Sequence, residues 1–156
     1  MIIDGIAQIE DIAATKGKIL GVDFGDVRTG LAVCDIGRML AGGIGTIKPG
    51  GIQKAVEATA AAAKENGAVA AVVGLPRNMD GTEGARADRC REFARMLAEA
   101  AGIPVMMTDE RLTTVAASRY LNETDTRGKK RKGVIDTLSA EIILQNTLDR
   151  LKMTVG

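Results

Sequence analysis

The chain has 156 residues, 46% of them hydrophobic, and a net charge of only +1. That length suits one domain with its own core, and the composition excludes global disorder and a general polyelectrolyte attraction to nucleic acid. There is no histidine, which removes Ser-His-Asp and Cys-His catalysis and histidine-based zinc sites. Aromatic residues make up 2%, so the core must be built from Ala, Val, Ile, Leu and Met. Cys34 and Cys90 match no metal spacing and read as reduced, buried thiols. No apolar run approaches the ~18–20 residues of a membrane span, and the first 18 residues carry acids where a signal peptide carries bases. These features predict a cytoplasmic protein without a membrane partner.

Residues 1–17 read as a short, mildly amphipathic extension ahead of a domain covering 18–156. KILGVD (18–23) is an apolar run that ends in a carboxylate, and FGDVRTG (24–30) is a turn. LAVCD (31–35) and MLAGGIGTI (39–47) predict two more strands in an antiparallel meander with the first. Ile52, Val56, Thr59 and Ala63 mark one face of an Ala-rich helix that stops at Asn66-Gly67. AVAAVVGLP (68–76) is apolar throughout, as a strand covered on both faces would be. Cys90, Phe93, Ala94 and Leu97 are spaced i, i+3, i+4, i+7 on a helix ending at Gly102. IPVMMTDE (103–110) predicts a fifth strand, TTVAASRYL (113–121) a short helix, NETDTRGKKRKG (122–133) a charged loop, and 134–152 a closing helix. Three strands followed by helix–strand–helix–strand make an α/β sheet whose later strands run parallel to the first.

Ligands of such sheets gather at the carboxyl ends of the strands. Asp23, the segment Leu75-Pro76-Arg77-Asn78 and the pair Asp109-Glu110 all fall there. Each has an ordinary alternative: a turn aspartate, a βα loop, a surface ion pair with Arg111 or a helix cap. Asp136 would suit the dipole of the last helix. It also shares a face with Ala140 and Ile143, which points an acid at the body of the protein. Converging carboxylates repel one another unless a proton or a cation lies between them. Oxygen donors without nitrogen or thiolate suit Mg²⁺ or Mn²⁺. Arg127, Lys129, Lys130, Arg131 and Lys132 are five bases in six residues beside that helix, a pattern that suits a phosphate backbone. Arg77 and Asn78 could also bind phosphate. Asp23-Phe24-Gly25 spells the kinase D-F-G, but the chain is too short for that fold and, lacking histidine, has no H-R-D loop.

Four blocks, GVDFGDVRTGLAVCD (21–35), VVGLPRNMDGTEG (72–84), TDERLTTVAA (108–117) and KRKGVIDTLSAEIILQ (130–145), together resemble the YqgF/RuvX family. Its members are Holliday-junction-resolvase-like nucleases, also described as pre-16S ribosomal RNA nucleases. The resemblance implies a ribonuclease H-like fold with a five-stranded mixed sheet of order 3-2-1-4-5. It also implies Mg²⁺-dependent phosphodiester hydrolysis with Asp23, Glu110 and Asp136 as acidic metal ligands and Asp109 as a substitute for Glu110. Arg77, Asn78, Lys129, Lys130, Arg131 and Lys132 would contact structured RNA or branched DNA. Three departures accompany it, the smallest being Ser139 where the family often has Ala. Residues 1–17 lie outside the usual core, and junction resolvases of this fold keep an acid at the end of the fourth strand, where this chain has Gly74-Leu75. The expected reaction is cleavage in 5′-end maturation of pre-16S rRNA. Alternatives are resolution of DNA junctions, for which symmetric cutting calls for a homodimer, a non-catalytic factor in transcription, and a nucleotide phosphotransferase of the actin-like type.

Overall fold

The computed structural model describes residues 5–78, 80–110 and 129–155, without the side chains of 129–136, 154 and 155. Five strands form one sheet: β1 (Lys18–Asp23), β2 (Thr29–Cys34), β3 (Ala41–Ile47), β4 (Ala68–Leu75) and β5 (Val105–Asp109). The order is β3-β2-β1-β4-β5, as predicted. β1 pairs antiparallel with β2, as β2 does with β3, while β1–β4 and β4–β5 are parallel. Helices are α1 (Ile9–Ala13), α2 (Ile52–Glu65), α3 (Ala85–Ala101) and α4 (Lys129–Val155).

Alternation along the central strands splits the core in two. On one face Leu20, Val22, Ala71, Val73 and Val105 pack with Val56 of α2 and Phe93, Ala94 and Leu97 of α3. On the other Ile19, Ala32, Ala70, Val72 and Met106 pack with Ile12 of α1 and Ala140, Ile143, Leu144 and Leu148 of α4. The chain's only two phenylalanines, Phe24 and Phe93, stack with ring centroids 4.3 Å apart. That contact ties the residue after Asp23 to α3.

α4 sits unusually close to the sheet, because three strands offer it glycine. A Cβ at Gly21 of β1 would lie 2.6 Å from Leu144 Cβ and 2.8 Å from the Ala140 carbonyl oxygen. A Cβ at Gly74 of β4 would lie 2.6 Å from Ile143 Cδ1, and one at Gly43 of β3 would collide with Thr137 Cγ2. The helix is also registered against edge strand β3. Thr137 Oγ1 lies 2.8 Å from Thr46 Oγ1, Gly43 N donates to Glu141 Oε1 at 2.6 Å, and Ala41 N donates to Gln145 Oε1 at 2.9 Å. Residues 137, 141 and 145 form one stripe at i, i+4, i+8. Two of its side chains occupy backbone donors that an edge strand would otherwise offer to other chains.

Two expectations change. The closing helix begins at Lys129 rather than near Val134, so Lys129, Lys130, Arg131 and Lys132 lie on its opening turns and not in a loop. Lys and Arg are good helix formers, and the single Gly133 costs a helix interior only about 1 kcal/mol. Residues 5–17, ahead of β1, pack onto the domain: Ile6, Ala7 and Ile12 are buried, and Ala7 N donates to Val105 O at 2.8 Å. Arg38 in the β2–β3 turn fastens this segment, donating to Gly17 O at 2.7 Å and Thr15 Oγ1 at 2.7 Å. The strand bounds also shift: β2 spans 29–34 instead of 31–35, and β5 is trimmed to 105–109. The predicted helix 113–121 and Arg127 lie outside the described residues.

Overpacking a tight interface costs about 1–3 kcal/mol. Gly21→Ala is therefore expected to lower stability by about that amount, read as a reduced urea midpoint at unchanged slope. An unchanged midpoint would mean that α4 does not depend on this close approach.

Candidate active site

Asp23 is the last residue of β1 and is buried, with 4% of its surface exposed. It lies two residues beyond Gly21, and so on the face covered by α4. The turn behind it is closed by Thr29, whose hydroxyl donates to Gly25 O at 3.0 Å. Val22 pairs with Val73, so one step further along the two strands Asp23 stands beside Gly74, a strand spacing of about 4.8 Å away.

Glu110 reaches this point from the next strand. Its Oε1 lies 2.6 Å, and its Cγ 3.3 Å, from where a Cβ of Gly74 would be. The missing side chain at the end of β4 is thus replaced by a carboxylate arriving from the end of β5. Asp109, its neighbour, turns elsewhere: its Oδ2 is 3.5 Å from Arg77 Nη1. The structure therefore brings Asp23 and Glu110 together and directs Asp109 to Arg77. Asp136 lies in α4 one turn before Ala140, the residue standing over Gly21. That places its backbone towards the Asp23 end of the sheet; its side chain is outside the described residues. Among the described residues no three acidic, cysteine or histidine side chains converge on a metal-sized point.

A cavity of about 340 Å³ opens beside Asp23, lined by residues 23–28 and Arg86 of α3. Arg86 Nη2 is 3.5 Å from the Phe24 carbonyl oxygen. Asp26 is held by Arg89, with contacts of 2.9 and 3.1 Å. Arg28 and Arg86 are the cations that sequence reasoning missed. Arg28 could have been found as the base of the turn after Asp23, but Arg86 depends on α3 starting beside that turn. Asn78 is engaged within its own loop. Its amide donates to Thr82 Oγ1 at 2.9 Å, and its backbone N donates to Thr82 O at 2.9 Å, so it shapes its own loop.

Both thiols are buried and free. Burial pushes the Cys90 thiol up to about 12, with Glu110, Asp23 and Asp26 adding to the rise and Arg86 opposing it. Burial likewise raises Cys34. Only the thiolate reacts with disulfide reagents. At pH 8 the native protein is therefore expected to label with an aromatic disulfide at least about 100-fold more slowly than in denaturant. A fast-reacting native thiol would contradict the packing of Cys90 behind the carboxylates.

Comparison with known proteins agrees with this architecture. The family described as "RuvX: Holliday junction resolvase" matches residues 17–150. A protein of Cereibacter sphaeroides named as a candidate pre-16S rRNA nuclease is 42% identical over 151 residues, covering 97% of this chain and 94% of its own. One of the same name from Clostridioides difficile is 45% identical over 133 residues, covering 85% and 94%. Among solved structures, Thermus thermophilus RuvC in complex with a Holliday junction substrate superposes with a TM-score of 0.54 at 15% identity, over 87% of this chain and 96% of that one. At that identity the likeness speaks for the fold, which is ribonuclease H-like. Matched over residues 17–150 and by relatives above 40% identity across most of its length, the chain belongs to the RuvX family of resolvase-like nucleases.

Proposed function

We propose that this protein is a metal-dependent nuclease acting on structured RNA in the cytoplasm, in 5′-end maturation of pre-16S rRNA. The observation that carries the reading is the Glu110 carboxylate lying over Gly74, on the strand next to buried Asp23. Carboxylates at the end of one strand and just beyond another, together with Asp136 carried by the helix above, would make an all-oxygen donor set. That chemistry fits Mg²⁺ or Mn²⁺.

Asp23, Glu110 and Asp136 would hold the cation. When bound, it supplies Lewis-acid charge at the scissile phosphate and makes water more acidic. The rest of the work falls to the chain. The β1–β2 turn and its cavity receive the sugar-phosphate backbone next to Asp23. Arg28 and Arg86 offset phosphate charge from the cavity wall, and Lys129, Lys130, Arg131 and Lys132 do so from the start of α4. Asn78 keeps the adjoining loop in shape. The names carried by the relatives from C. sphaeroides and C. difficile favour RNA as substrate. The family description keeps branched DNA as the second reading.

Asp23→Asn is expected to reduce Mg²⁺-dependent cleavage of pre-16S rRNA more than about 100-fold, beyond the losses seen when only an outer contact of a metal ligand is removed, with an unchanged circular dichroism spectrum. Wild type and variant should be assayed in parallel on precursor RNA and on a four-way DNA junction. Cleavage of the junction alone would transfer the activity to DNA. Tight RNA binding without turnover would make the protein a binding factor, and unimpaired cleavage by the variant would remove Asp23 from the site.

A further inference from the structure

The sequence casts Arg77 as a phosphate ligand, yet its guanidinium is engaged between two carboxylates. Nη2 lies 3.2 Å from Glu83 Oε2, and Nη1 lies 3.5 Å from Asp109 Oδ2. Glu83 is in turn gripped by Arg91, Nε to Oε1 at 2.7 Å and Nη2 to Oε2 at 2.8 Å. Arg91–Glu83–Arg77–Asp109 is a continuous chain of alternating charge. Two arginines and two acids sum to zero, which gives the cluster little attraction for a phosphate. The members are partly withdrawn from water, Asp109 most of all, with 11% side-chain exposure. Geometry of this kind, with a two-point arginine fork, is the sort that orders side chains rather than merely decorating a surface.

Asp109 ends β5 and Glu110 follows it directly. Neighbouring residues of an extended chain point to opposite faces. A side chain at 109 fixed towards Arg77 therefore sends the next one across the sheet edge, where Glu110 is found over Gly74. We propose that Arg77 is a positioning residue for Glu110, the middle link of a latch that ties the loop after β4 to the end of β5. The inference rests on the nuclease reading of Asp23 and Glu110. It gives Arg77 and Glu83 a task in metal binding that is separate from substrate contact.

Two observables separate this role from a phosphate contact. One is Mn²⁺ affinity measured by calorimetry without nucleic acid. The other is the affinity for precursor RNA, and its salt dependence, measured in EDTA. Arg77→Ala is expected to weaken Mn²⁺ binding about 10–100-fold, as the loss of a group that orients a metal ligand does. It should lower kcat with little change in KM and leave the RNA affinity and its salt slope unchanged. Glu83→Gln, which removes a latch charge but no cation, is expected to shift Mn²⁺ affinity in the same direction. It also serves if Arg77→Ala fails to fold. The proposal is overturned if Arg77→Ala weakens RNA binding and reduces the salt slope by about 1 while Mn²⁺ affinity stays as in wild type. It is overturned equally if Glu83→Gln leaves Mn²⁺ affinity untouched. A wild-type protein that binds Mn²⁺ but cleaves nothing refutes the nuclease reading while leaving the latch measurable through metal affinity alone.

Discussion

The site depends on how closely α4 is seated. Glycines at 21, 43 and 74 remove side chains from three strands beneath one helix, so the helix approaches until its own side chains meet strand backbone. Interiors are packed to crystal-like density and transmit small displacements instead of absorbing them. Any added methyl would push the helix outward, and the residues of its first turns would move with it. Those turns carry Asp136 and the four basic residues of 129–132. The stripe of Thr137, Glu141 and Gln145 fixes the remaining freedom, because hydrogen bonds to β3 resist sliding along the sheet as well as lifting from it.

This seating also explains why the sheet edge near Asp23 can hold acids at all. Burying a carboxylate is costly unless its charge is met. Here cations are distributed around the edge: Arg86 and Arg28 at the cavity, Arg89 on Asp26, Arg77 on Asp109. Asp26, Asp109 and Glu83 each meet a guanidinium.

Much of this was legible from residue order. Asp23 could be read because an apolar run ending in an acid before Gly25 is a local pattern, whereas the strand order came from the family resemblance and not from the residues alone. What local patterns could not carry was register. That Glu110 and not Asp109 meets the α4 face depends on Leu75 pairing with Asp109 and Gly74 with Thr108. A slip of one residue would exchange their directions. The basic run was read as a loop because charge density and Gly128 and Gly133 outweighed the helix preference of Lys and Arg. The packing of residues 5–17 was hidden for another reason: Ile6 and Ile12 become buried only against β5 and α4, elements distant in sequence.

Register and seating together account for the departure at the end of β4. A carboxylate placed there by residue 74 itself would need a Cβ in a space already filled by Ile143 and Glu110. The chain instead leaves 74 bare and delivers the acid from β5 on the longer glutamate side chain. Gly74 and Glu110 are therefore one structural choice made at two positions. Restoring an acid at 74 would add a like charge beside Glu110 and a steric clash with α4 at the same time, whereas shortening Glu110 to aspartate would withdraw the carboxylate from the gap that glycine leaves. A carboxylate supplied across strands in this way is only as well placed as the end of β5, which makes the anchoring of Asp109 part of the same design.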